Sequence, residues 1–208
     1  MAGRQPTLVV FCGPPCAGKT TLGTGLSSER DLTHLQMDRF RSGLLPWSSH
    51  GRNAIDLAYW AMHRMAVVLL RLGRSVLLDS TYARTEQRKD VEGIACHTGA
   101  RLYVVECSVG PQDAVFRFRH RPAGHAALDL TTQRVDALAR GFPYCFVGLH
   151  LDTSKSPVSC HKDIDSYLLE SPVSTNAWSV ARARLDRKLS GSAASGQSTC
   201  SRASSSAS

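Results

Sequence analysis

The stretch Thr7-Leu8-Val9-Val10-Phe11-Cys12-Gly13-Pro14-Pro15-Cys16-Ala17-Gly18-Lys19-Thr20-Thr21 decides the fold. Its first six residues are uncharged and rich in β-branched and aromatic types, as a buried strand requires. They run directly into Gly13-x-x-x-x-Gly18-Lys19-Thr20, the spacing of a phosphate-binding P-loop. The spacing has a mechanical reason. A strand ending at Cys12 feeds a loop whose backbone N–H groups turn inward, and a helix starting near Gly18 adds unpaired amides and the positive end of its dipole. Gly13 and Gly18 permit backbone angles and close approach that a Cβ would block. Pro14, Pro15, Cys16, Ala17 and Thr21 complete the nucleotide cradle, and Lys19 reaches the terminal phosphates as a mobile point charge. Thr20 offers its hydroxyl to Mg²⁺. Cys16 could carry a thiol activated by the helix end, although a simple loop spacer is the plainer reading.

With 208 residues the chain has room for one domain and a tail. We expect a domain over residues 1–170 and a weakly structured extension over 171–208, its last nineteen residues rich in serine and disordered. Seven cysteines without any Cys-x-x-Cys pair argue against a disulfide framework or a zinc knuckle and suit a cytoplasmic protein with reduced thiols. The first strand begins too early to leave room for a signal peptide, and no uncharged run approaches the length of a bilayer span, so no membrane partner is expected. The formal charge of +8 comes from 20 Arg against five Lys, an excess that attracts phosphorylated ligands or nucleic acid but equally follows from a GC-rich coding bias.

Beyond the P-loop, carboxylates fall at the ends of apolar runs. Leu32 to Met37 reads as a second strand ending at Asp38, beside Arg41, and a carboxylate there faces the ligand edge of an open α/β sheet. Asp38 would also serve as N-cap of a helix from Arg39. Leu44 to Gly51, with Trp47, reads as a loop, and Asn53 to Leu72 as a long helix with a core stripe of Ile55, Ala58, Met62, Met65, Val68, Leu69 and Leu72. Ser75 to Leu78 is a third strand, followed by Asp79-Ser80-Thr81; from that position P-loop proteins hold Mg²⁺, often through water. Thr85 to Thr98 is a helix closed by Gly99, Arg101 to Cys107 a fourth strand, and Pro111 to Arg121 a helix. That helix ends in Arg117, Arg119, His120 and Arg121. Arg117 and Arg121 lie one turn apart, either poised over a phosphate chain or on a solvated basic face. Pro122 to Leu128 is a connection, Thr131 to Arg140 a helix, and Cys145 to Asp152 a fifth strand. Lys162 to Glu170 and Ala177 to Leu189 read as further helices, the last packed against the domain. Strands alternating with helices at this spacing give an α/β fold: a three-layer P-loop NTPase with a five-stranded parallel sheet.

The P-loop, Asp38-x-x-Arg41, Asp79 and Arg117-x-x-x-Arg121 together resemble the small AAA-type P-loop kinases related to phage polynucleotide kinase, zeta toxins and chloramphenicol phosphotransferase. The resemblance covers residues 7 to about 153. It implies that Asp38 is the general base, that Arg41 binds a substrate phosphate, and that Arg117 and Arg121 belong to a lid closing over ATP. The function so implied is transfer of the γ-phosphoryl group of ATP, with Mg²⁺, to a hydroxyl. Lys19, Asp38, Arg117 and Arg121 would be catalytic; Asp38, Arg41, Asp79 and Thr81 would contact the acceptor; Thr20 and Asp79 would hold the metal. A small molecule is the favoured acceptor and a nucleic acid 5′ end the other that fits. Aromatic residues for stacking single strands look sparse. A nucleotide-binding regulator that hydrolyses ATP without an acceptor is the competing reading.

Overall fold

The computed structural model describes residues 5–44, 51–121 and 130–195, with side chains to residue 187. Thr7–Cys12 forms β1, and every residue from Leu8 to Cys12 is fully buried, which explains its unbroken apolar run. It is followed by α1 (Lys19–Arg30), β2 (Thr33–Gln36), α2 (Met37–Leu44), α3 (Arg52–Arg71), β3 (Val76–Asp79), α4 (Thr85–Thr98), β4 (Arg101–Ser108), α5 (Pro111–Arg119), α6 (Thr132–Arg140), β5 (Leu149–Asp152), α7 (Pro157–Tyr167) and α8 (Ala177–Ser195). All strand pairs are parallel, in the order β2-β3-β1-β4-β5. Two apolar clusters cover the two faces of the sheet. On one, α3 and α4 pack over Leu8, Val10 and Leu78; on the other, α1, α5, α6 and α7 pack over Val9, Phe11 and Val105. The expected three-layer α/β architecture with five parallel strands is thus present. No described helix is long and apolar enough to cross a membrane.

The register fixes where chemistry can occur. Phe11 is level with Asp79, Gln36 with Asp79, and Cys12 with Glu106, so β1, β2, β3 and β4 end along one edge. In an open parallel sheet that edge is where ligands bind.

Several boundaries differ from the sequence reading for physical reasons. The helix expected after Asp38 begins at Met37, so Asp38 lies in its first turn, where a carboxylate complements the dipole. The fifth strand is four residues long rather than eight, because Cys145 and Phe146 give their N–H groups to the Glu106 carboxylate instead of to a neighbouring strand. In α3, Met65 and Val68 are 45 and 53% exposed, and Leu72, its C-cap, 72%; the core face is carried by Ala54, Ala58, Tyr59, Met62, His63, Ala66 and Leu70. The basic helix ends at Arg119, two residues early.

The last helix runs to Ser195, into the stretch read as disordered, and Trp178 near its start is fully buried among Tyr82, Val91 and Ile94. The extension after residue 170 therefore adds to the domain's own core. Its helix is seated by Glu92, a buried carboxylate that accepts N–H bonds from Trp178 and Ser179 at the helix start. The loop with Trp47, the connection from Pro122 to Leu128 and the end of the serine-rich tail lie outside the described residues.

Candidate active site

The loop from Gly13 to Gly18 connects the buried end of β1 to the first turn of α1. Gly13 has φ +148°, and a Cβ there would meet the Cys107 carbonyl oxygen of β4 at 2.3 Å, so the loop leaves the sheet where only glycine fits. Gly18, the N-cap of α1, takes φ +76°; Cys16 is left-handed as well, at φ 64°. Two contacts anchor the loop: Gly13 N–H donates to the Thr81 carbonyl at 3.3 Å, and Ala17 N–H to Pro14 at 3.3 Å. Pro15, like Cys16, is partly exposed, whereas Pro14 and Ala17 are buried beneath them; Thr21 is exposed on α1. The Lys19 ammonium folds back and donates to the carbonyls of Gly13 at 3.0 Å and Pro14 at 2.8 Å.

Across from Lys19, the Thr20 hydroxyl donates to Asp79 Oδ2 at 2.6 Å. Asp79 is 5% exposed, and its other neighbour is the His34 ring of β2, with Nε2 at 3.4 Å and without hydrogen-bond geometry. This pair fits a divalent ion of the Mg²⁺ type. A hard hydroxyl oxygen and a carboxylate oxygen meet beside the lysine, and the carboxylate is buried with little compensation. Among the described residues no trio of His, Cys, Asp or Glu is gathered to hold a metal alone. An ion here would take its remaining ligands from phosphate and water.

Asp38 and Arg41 come together on α2, with Arg41 Nη2 3.6 Å from Asp38 Oδ1. Arg41 is buried, while the Asp38 side chain is 43% exposed at the sheet edge. The strand that leads into Asp38, β2, stands two places from β1 in the sheet, a strand-to-strand spacing of about 10 Å. Arg117 arrives from the other side. Its guanidinium donates to the Cys16 carbonyl at 3.3 Å and to the Thr153 hydroxyl and carbonyl at 3.1 and 2.5 Å, which spans the mouth of the loop. Arg121 follows α5 and stacks over Phe118 at 4.2 Å. Burial pushes the Cys16 thiol up, against the opposing pull of Arg121, Lys19 and Arg117, which fits a spacer and not an activated nucleophile.

Thr81 is positioned by a network that the sequence did not reveal. The Tyr59 hydroxyl of α3 receives the Ser80 hydroxyl at 2.5 Å and the Tyr82 N–H at 3.3 Å and lies 3.2 Å from the Thr81 hydroxyl. Since the Thr81 carbonyl receives Gly13 N–H, this network ties α3 to the P-loop. His34 and Thr153 were missed too. Their signal was positional: both lie on strands or strand ends beside residues already singled out, but neither type is diagnostic by itself.

The sequence profile described as "AAA domain" matches residues 8–144. Among solved structures, the fold is shared with a protein of Chloroflexus aurantiacus j-10-fl whose kinase activity is inferred, at TM-score 0.66 and 21% identity, over 79% of this chain and 99% of that one. It is shared with the APS kinase CysC of Mycobacterium tuberculosis in complex with AMPPNP and APS, at TM-score 0.61 and 19% identity, over 80% and 99%. It is also shared with a gluconokinase of Sinorhizobium meliloti 1021, at TM-score 0.57 and 13% identity, over 91% and 98%. At these identities the likeness establishes the fold. A search of curated proteins finds no sequence match. The profile runs from inside β1 to the segment before β5, well over half of the chain, and the protein therefore belongs to the AAA domain family, built here on the fold of P-loop kinases.

Proposed function

We propose that the protein is an ATP-dependent kinase that transfers the γ-phosphoryl group to a hydroxyl of a small molecule. What supports this reading is that the Lys19 loop, the Thr20–Asp79 pair and the Arg117 contact lie at the strand ends, the same end of the sheet at which β2 passes into α2 and Asp38. A nucleotide binder needs only the first three. A carboxylate across the edge is what a phosphoryl acceptor needs.

In this reading the loop amides and Lys19 hold the β- and γ-phosphates. Thr20 and Asp79 hold Mg²⁺, which supplies positive charge to the phosphate oxygens when bound. Asp38 accepts the proton of the acceptor hydroxyl as its oxygen forms a bond to the γ-phosphorus. The bond between that phosphorus and the bridging oxygen breaks, and ADP leaves with the electron pair. Arg41 fixes Asp38 and meets the acceptor's anionic groups; Thr81 offers the acceptor a hydroxyl. Arg117 and Arg121 neutralise charge on the transferring group and help exclude water, which competes as an acceptor.

The test is to incubate the protein with γ-labelled ATP, Mg²⁺ and a panel of hydroxyl compounds that includes 5′-hydroxyl oligonucleotides. Label should pass to an acceptor, Asp38→Asn should stop transfer while sparing nucleotide binding, and Lys19→Ala should abolish both. Steady phosphate release with no labelled acceptor would replace the kinase with a hydrolysing regulator.

A further inference from the structure

The segment between α6 and β5, together with His150 of β5, carries a row of rings. Phe142 and Tyr144 lie 4.7 Å apart by centroid, Tyr144 and Phe146 6.4 Å, Tyr144 and His150 5.0 Å, and Phe146 and His150 4.5 Å. At the inner end the Tyr144 hydroxyl donates to the Cys107 carbonyl at 3.4 Å, the same oxygen that crowds Gly13. At the outer end the Phe146 side chain is 69% exposed. The row therefore leads from solvent to the strand end where the P-loop begins.

Phe146 is held there at a cost. It takes a left-handed backbone, φ 55°, which a bulky residue rarely adopts. What holds it is the Glu106 carboxylate, fully buried, which accepts the Phe146 N–H at 2.7 Å and the Cys145 N–H at 3.1 Å. The strained turn sets Cys145 and Val147 against the core, but the Phe146 ring itself is left facing water.

The residues interleaved with the rings lie on the face of the sheet that α2 also covers. Cys145 and Val147 pack on the same face of the sheet as Met37 and Phe40 of α2, the helix that carries Asp38. Arg117, by contrast, approaches from α5 and closes on Thr153 after β5, and α5 packs on the opposite face. From β2 to β4, where Tyr144 is anchored, is three strand spacings, about 14 Å.

We infer that the Phe142–Tyr144–Phe146–His150 row is a stacking platform for the phosphoryl acceptor, which is therefore a hydroxyl compound bearing a planar aromatic or heteroaromatic ring, of nucleoside size or larger. The inference rests on the kinase reading for the word acceptor, but ring binding can be tested without it. With the P-loop saturated by ADP and Mg²⁺, saturation-transfer NMR is recorded on thymidine and p-nitrobenzyl alcohol, and on ribose and glycerol as ring-free controls.

Ring protons should receive saturation in the wild-type protein, and the signal should collapse in Phe146→Ala and return in Phe146→Trp. Alanine keeps the Cβ and so carries the same backbone strain. In the transfer assay Phe146→Ala should raise the KM of a ring-bearing acceptor about tenfold and leave the KM of ATP unmoved. Saturation of ring protons with no labelled product supports the platform and removes the kinase. Label on ring-free polyols, with equal ring signals in wild type and Phe146→Ala, overturns the platform and leaves the kinase standing.

Discussion

Asp79→Asn separates chemistry from stability. The wild-type carboxylate is almost fully buried and, among the described residues, has one direct hydrogen bond, from Thr20 at 2.6 Å, with the His34 ring 3.4 Å away. Burying a charge with so few partners is unfavourable, and asparagine keeps an oxygen for the Thr20 hydroxyl while shedding the charge. The nucleotide-free variant should therefore melt within about 3 °C of wild type or above it, since 1 kcal/mol moves Tm by about 2–4 °C for a chain of this size.

Nucleotide stabilisation behaves differently. ATP and Mg²⁺ at about a thousandfold over Kd stabilise the wild type by about 4 kcal/mol. A hundredfold loss of affinity, the scale expected when a metal-orienting carboxylate goes, leaves about 1.4 kcal/mol. The assay is thermal unfolding with and without ATP and Mg²⁺: the ligand shift should fall from roughly 8–16 °C to roughly 3–6 °C. A nucleotide-free Tm lowered by more than about 6 °C would make Asp79 a structural residue. An undiminished shift that still depends on Mg²⁺ would remove it from the metal site.

Further outcomes follow from other groups. Trp178→Ala removes a fully buried indole and should lower the unfolding free energy by about 3–5 kcal/mol in urea titrations. Burial pushes the His63 imidazole down to about 4; Asp90 lies 3.9 Å away, but its side chain is 65% exposed and screened, so burial prevails. The unfolded chain takes up this proton first. Stability is therefore unaffected above about pH 7 and declines as pH falls from 6.5 toward 4, by about 3 kcal/mol in all, a slope that His63→Gln should flatten. Arg117→Lys cannot span Cys16 and Thr153 with a planar fork and should lower kcat about a hundredfold or more, with a smaller change in ATP binding. Of the six described cysteines, exposed Cys96 should alkylate well before Cys12 and Cys107, whose thiols burial pushes up, that of Cys107 to about 12.

The elements that the sequence disclosed are those fixed by neighbours along the chain. The P-loop and β1 follow from glycine spacing and an apolar run, and α4 is bounded at both ends as expected because Gly99 supplies its left-handed C-cap. The parts that stayed hidden depend on partners far away. Arg88 is fully buried and would be read as a surface cation on an amphipathic helix. Its guanidinium is satisfied by the carbonyls of Tyr82 and Pro143 and by the face of Trp178. Glu106 inside β4 breaks the apolar pattern for the sake of backbone amides forty residues on. The long helix misled for the opposite reason: Met65, Val68 and Leu72 repeat at helical spacing, yet on a face turned away from the buried stripe of Ala58, Met62, Ala66 and Leu70. In the candidate site Thr20 and Asp79 meet at hydrogen-bond distance, while Lys19 turns back onto the carbonyls of its own loop. Tyr59 and the ring row do not show in the sequence, since a tyrosine on a helix and alternating aromatics before a strand look like ordinary core.

The two carbonyls that grip Lys19 give the loop a threshold. A visiting anion does not meet a bare ammonium; it must outbid the Gly13 and Pro14 oxygens, which already satisfy that cation from within the same turn. A polyphosphate tail brings several charges at once along the whole run of amides and can win the exchange. In the kinase reading, the lysine's own tether is thus released only when phosphate takes the place of both carbonyls.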